Sequence, residues 1–241
     1  MNEILQQILT TRKVTTSEGQ ERPLHSNVQI NRGLMIQEII RTKRPKTCIE
    51  IGLAYGISGL FICEALSQLH MDGVRQIVID PNQHTQWEGI GIENLKRAGY
   101  KNMVEFYEEP SHSVLPKLAD QKLRVDFAFI DGMHLFDYVL VDFFYLDKLL
   151  NVGGVLIIDD VWMRSLRKAR DYILTNRKYR ILKYLKPHWT SYPKHVLKIL
   201  MLHYKDIFSA NFWRRKIRYT DLVVLTKEAE DNRDWKFHRE F

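Results

Sequence analysis

Cys48-Ile-Glu-Ile-Gly-Leu-Ala-Tyr-Gly-Ile-Ser-Gly59 is an apolar run that ends in an acid and a glycine turn, then continues into a helix-forming stretch. A buried strand running through a turn into a helix puts Gly52 and Gly56 where the backbone must turn tightly and let a ligand come close. The helix N-terminus that follows offers free N–H groups. The spacing is G-x-x-x-G, unlike the G-x-G-x-x-G of dinucleotide sites, and Glu50 stands two residues before the first glycine. That acid suits a cationic ligand better than a pyrophosphate. A glycine turn that only closes strand-to-helix packing is the competing reading.

Outward from this turn, short β-rich runs alternate with helical stretches, which predicts a parallel sheet covered on both faces, an α/β doubly wound fold. The expected strands are Thr47–Ile51, Gln76–Asp80, Val104–Tyr107, Val125–Asp131, Val155–Asp159, Arg180–Leu185 and Asp221–Thr226. Helices are expected near Ser58–His70, Trp87–Ala98, Ser113–Leu118, Phe136–Leu150 and Ser165–Thr175. Upstream, Met1–Leu9 reads as a short helix and Thr10–Asn27 as an irregular arm. Ser26 or Asn27 is expected to cap a helix running to Lys43, where Pro45 stops it. The domain reading is therefore an arm over 1–27 and one domain over 28–241. A basic, amphipathic insertion at about 186–220 separates the last two strands and is too long for a plain connection.

The second expected strand ends in Asp80, where doubly wound folds hydrogen-bond ribose hydroxyls; a turn former at Asp80-Pro81-Asn82 is the alternative. Asp131 ends the fourth strand and Asp159-Asp160 the fifth, so three carboxylates should meet at one rim. Such a group does not stay ionised cheaply without a cation among it. A hard divalent ion such as Mg²⁺ takes oxygen ligands of this kind. The alternative has Asp131 serving cofactor or substrate while Asp159 and Asp160 cap the next helix.

These stretches, Glu50-Ile-Gly-Leu-Ala-Tyr-Gly, Ile79-Asp-Pro, Glu109-Pro-Ser, Phe129-Ile-Asp-Gly-Met-His and Gly153-Gly-Val-Leu-Ile-Ile-Asp-Asp, together resemble the class I S-adenosylmethionine-dependent methyltransferases. Within that group they look like the branch of metal-dependent catechol-type and macrolide-sugar O-methyltransferases. The resemblance implies a Rossmann-like, seven-stranded sheet with the last strand antiparallel. It implies a donor site of Glu50, Gly52, Tyr55, Gly56, Ser58, Asp80, Ser111 and Asp131, with Gly52 and Gly56 beside the methionine part, Asp80 on the ribose and Ser111 near the adenine. It also implies a metal cluster of Asp131, Asp159 and Asp160. Related sugar methyltransferases carry a histidine base two residues after the Asp-Asp pair, where this chain has Trp162. His134, three residues after Asp131, is the substitute base, with a pKa suited to accepting a hydroxyl proton.

The expected reaction is displacement of a sulfonium methyl group by a substrate oxygen, on a small molecule or a sugar or glycan intermediate. Cys48 and Cys63 sit in apolar runs with no basic neighbour, which excludes a cysteine nucleophile and a disulfide framework. A nicotinamide-dependent oxidoreductase and a non-catalytic donor-binding module are the competing classes. The formal charge of +7 is uneven: residues 161–220 carry +14 and the remainder −7. Such a patch attracts phosphates or an anionic membrane surface, and the insertion is open to readings as substrate cover, interfacial helix or homodimer contact. Nucleic-acid methylation is disfavoured, because no N-P-P-Y-type motif follows the fourth strand. Without a secretion signal in the opening residues, a cytoplasmic location is expected, with peripheral contact at the inner membrane face as a further reading.

Overall fold

The computed structural model describes residues 1–185 and 221–241. The insertion expected at 186–220 lies outside the described residues. Along the chain come α1 (Glu3–Thr11), β1 (Lys13–Thr15), β2 (Glu21–Pro23), α2 (Ile30–Lys43), β3 (Thr47–Ile51), α3 (Ile57–Ser67), β4 (Arg75–Ile79) and α4 (Ile90–Arg97). They are followed by β5 (Val104–Tyr107), α5 (Ser111–Asp120), β6 (Val125–Ile130), α6 (Phe136–Leu149), β7 (Leu150–Ile158), α7 (Arg164–Asn176), β8 (Tyr179–Leu185) and β9 (Leu222–Lys227).

Seven strands form one sheet in the order β5-β4-β3-β6-β7-β9-β8. Strands β5, β4, β3, β6 and β7 pair in parallel, whereas β9 runs antiparallel to both β7 and β8. This is the doubly wound, Rossmann-like sheet with an antiparallel last strand that the sequence predicts. Period-two alternation sorts the apolar side chains. Ile49, Ile51, Ile77, Ile79 and Ile130 face α5, α6 and α7, while Cys48, Phe127, Phe129, Val155 and Ile157 face α2 and α3. Both faces are covered, so β3 is buried at all five positions, with Glu50 set among the apolar Cys48, Ile49 and Ile51.

The strand order reverses direction between β3 and β6. In open α/β sheets the crevice outside the strand ends at such a point receives the ligand, and Asp80, Asp131, Asp159 and Asp160 lie on that rim.

Two expectations change at the N-terminus. The arm is not irregular throughout: β1 and β2 pair as a small hairpin, with Lys13 opposite Pro23. The bidentate contact of Arg22 with Glu88, 2.8 Å on each nitrogen, ties that hairpin to the loop before α4. Neither Ser26 nor Asn27 caps α2. Ser26 has φ +48°, whereas an N-cap needs extended backbone, and the cap falls at Gln29 with φ −68° and ψ 153°.

Candidate functional site

The glycine turn is bent by two residues in the left-handed region. Gly52 has φ +89° and its N–H donates to the Ile79 carbonyl at 2.9 Å. A Cβ there would stand 2.3 Å from the Asp131 carbonyl oxygen, so only glycine lets β3 and β6 end this close together. Gly56, at φ +82°, opens α3, and a Cβ on it would lie 2.8 Å from the Gly91 carbonyl oxygen at the start of α4.

Asp80, one residue past β4, holds the turn from the side. Its Oδ2 accepts from the backbone N–H of Leu53 at 3.0 Å and of Ala54 at 2.9 Å, and from Gln83 Nε2 at 3.0 Å. Its Oδ1 accepts from the Asn82 N–H at 2.9 Å and keeps a lone pair for another donor. Beneath the turn Glu50 is fully buried. Its Oε2 accepts from Gln76 Nε2 at 3.0 Å, and its Oε1 has no hydrogen-bond partner. Burial pushes the Glu50 carboxyl up to about 8, against the opposing hydrogen bonds from Ser58 and Gln76.

A cleft of about 640 Å³ opens over this turn. Of the residues expected at the donor, Gly52, Ser58, Asp80, Ser111 and Asp131 line it. Glu50, Tyr55 and Gly56 stand behind its wall. Tyr55 points towards the arm, its hydroxyl 2.8 Å from His25 Nε2 and its ring edge-on to Trp87. Asp142, buried on α6, backs Ser111; burial raises its carboxyl to about 6, with the Ser111 hydroxyl opposing.

In the same cleft the rim acids divide in a way the sequence does not predict. Asp131, His134 and Asp160 each offer one ligand atom within 4.8 Å of the others. His134 Nε2 lies 3.4 Å from Asp131 Oδ1, and His134 Nδ1 lies 3.8 Å from Asp160 Oδ2. The neighbouring Asp131 carboxylate is the main reason the His134 pKa is raised, against its burial. Asp159 is engaged elsewhere, its Oδ1 2.7 Å from Arg32 Nη1. Burial is the largest influence on Asp159 and raises its pKa, Asp131 adds to this, and Arg32 opposes both.

Arg32 lines the cleft without having been expected there, and Trp162, expected only as the residue in place of a histidine, contacts the rim. Arg32 occupies a position of the apolar stripe Val28, Met35, Ile36, Ile39 and Ile40, and a charge on such a stripe is the available signal. Trp162 Nε1 donates to Asp160 Oδ1 at 2.9 Å, so the residue standing in place of a histidine orients one of the rim acids. Cys48 and Cys63 are free, buried and pushed above the ordinary thiol range by that burial.

Residues 49–161 match the family model described as a methyltransferase domain. The chain is 29% identical over 161 residues to an Arabidopsis thaliana protein named as a caffeoyl-CoA O-methyltransferase, covering 64% of this chain and 63% of that protein. A second protein of that name from the same plant is 28% identical over 131 residues, 53% of each chain. The chain thus spans less than two thirds of the length of these relatives. Among solved structures it superposes on an O-methyltransferase from Bacillus cereus in complex with SAH, with a TM-score of 0.66 and 16% identity over 94% of this chain and 92% of that one. It superposes equally on TomG from Streptomyces achromogenes, an O-methyltransferase of tomaymycin synthesis in complex with SAM, with a TM-score of 0.67 and 15% identity over 95% and 91%. The chain has the fold of these O-methyltransferases, and its residues 49–161 are similar to a methyltransferase domain.

Proposed function

We propose that this chain transfers a methyl group from S-adenosylmethionine to a hydroxyl of a small molecule or glycan intermediate. The observation that carries this reading is one cleft lined both by the Gly52–Asp80 turn and by the Asp131–His134–Asp160 cluster. The donor's sulfonium suits a cleft lined by the acids Asp80, Asp131 and Asp160. When bound, S-adenosylmethionine supplies a methyl group that an oxygen nucleophile displaces in line.

The chain's own residues do the rest. Asp80 fixes the Leu53 and Ala54 N–H groups and leaves Oδ1 capacity for a ribose hydroxyl. Ser111, which lines the same cleft, would meet an adenine edge. His134 takes the proton from the acceptor hydroxyl as the new bond forms.

The donor set also fits a divalent ion: Asp131 and Asp160 would supply the oxygen ligands, with His134 between them, while Asp159 is committed to Arg32. Such an ion would make an acceptor hydroxyl more acidic. The acceptor we infer is anionic, such as a phosphate-bearing glycan intermediate, because +14 is concentrated in residues 161–220. No helix among the described residues is long and apolar enough to cross a membrane.

The test is calorimetric titration with S-adenosylmethionine and with NAD, followed by turnover of His134→Ala. Binding of S-adenosylmethionine alone is expected, and turnover of the variant should fall by about 10²-fold or more with donor affinity unchanged. Binding of NAD instead would replace this reading with the oxidoreductase one. Full activity after exhaustive chelation would remove the ion from it.

A further inference from the structure

The rim contains a cation of its own. Arg32 reaches it from α2 and is only 8% exposed. Its Nη1 donates to Asp159 Oδ1 at 2.7 Å and to Asp160 Oδ1 at 3.1 Å, and its Nη2 lies 3.8 Å from Asp221 Oδ2. Asp160 Oδ1 also accepts from Trp162 Nε1, so this oxygen is filled and Oδ2 is the one turned to His134. Asp159 Oδ1 accepts in addition from the Asp160 N–H at 2.9 Å. Asp160 itself sits at φ +48°, a backbone that these side-chain contacts hold in place. A guanidinium does not lose its proton in a protein, so the charge is permanent. Its Nε is buried with no acceptor, a cost the fold carries to keep the group here.

We propose that Arg32 is the resident cation of this rim, a positioning residue that withdraws Asp159 from ion binding and leaves one oxygen of Asp160 facing the cleft. The rim's affinity for a divalent ion is thereby held down. This inference rests on the ion reading above only for its probe. A cation fixed among the acids keeps them apart from one another whether or not a metal arrives, and an ion that does arrive is met by two carboxylates rather than three.

The experiment measures Mn²⁺ binding by calorimetry to the full chain and to Arg32→Gln, with thermal melting and S-adenosylmethionine titration reporting fold and donor site. Arg32→Gln strands the buried Asp159, so the same substitution is also made in an Asp159→Asn background. Arg32→Gln should bind Mn²⁺ about 10-fold more tightly than the parent, and about 3-fold more tightly in the Asp159→Asn background, where one recruited ligand is missing. Mn²⁺ uptake by the variant but not by the parent sinks the ion reading and supports the proposal. A folded, donor-binding variant whose Mn²⁺ affinity matches or falls below its parent's in both backgrounds overturns it.

Discussion

Asp80 gathers four N–H donors on one carboxylate, three of them on a single oxygen. Asp80→Asn can keep its oxygen towards Leu53, Ala54 and Gln83 but then points an NH₂ at the Asn82 N–H. It should cost about 1–3 kcal/mol in chemical denaturation, with a modest loss of donor affinity. Asp80→Ala removes all four acceptor contacts, and S-adenosylmethionine binding should become undetectable by calorimetry. Glu50 makes a prediction of opposite sign to most acids. Its folded pKa, about 8, lies above the ordinary 4.5, so the fold favours the neutral form. The stability it contributes is complete below pH 4.5 and is lost as the pH rises towards 8. Glu50→Gln stays neutral throughout, so its stability relative to the parent should climb by about 1 kcal/mol per pH unit between pH 5 and 8. Parallel urea midpoints for the two proteins over that range would contradict the burial of an ionisable Glu50.

The turn works because two elements approach it without side chains. A Cβ on Gly91 in α4 would lie 2.3 Å from the Ala54 carbonyl oxygen, closer than any real contact allows. Gly91→Ala should therefore destabilise by about 1–3 kcal/mol and weaken donor binding as the turn is pushed into the cleft; unchanged melting and affinity would refute this. Such contacts also mark how far the sequence could be read. The parallel strands were legible because both faces are covered, and Asp80 and Asp131 because an acid at the end of an apolar run stands out. The β1–β2 hairpin was not, since strands of three residues are too short for alternation to register. The same limit hid Arg32: its partner Asp159 is 127 residues away, and periodicity marks a helix face without saying what the face meets. Strand β7 starts earlier than expected, at Leu150, because α6 runs directly into it and its pairing with β6 shifts register near Val125.

At the scale of the molecule, charge separation predicts a salt effect. With +14 in residues 161–220, turnover of an anionic acceptor should fall steeply as the screening length drops from about 10 Å at 0.1 M salt to about 3 Å at 1 M. Arg214, Arg215 and Lys216 changed to Ser should blunt that dependence and also reduce co-sedimentation with anionic vesicles. A variant matching the parent on both, at low and high salt, would leave the charge as a solvated face. The strand pairing carries a different consequence. Leu185 and Leu222 are direct antiparallel partners, and the Asp221 N–H donates to the Leu185 carbonyl at 3.0 Å. Leu185 and Asp221 therefore lie side by side, next to the β7 end that bears Asp159, and a short Asn-Gly turn could join them without moving either strand. Because the flanking residues are neighbours, the stretch between them can be replaced by a short turn as an experiment. A shortened protein should melt near the parent and bind the donor equally well, leaving acceptor choice as the property that travels with the excised piece.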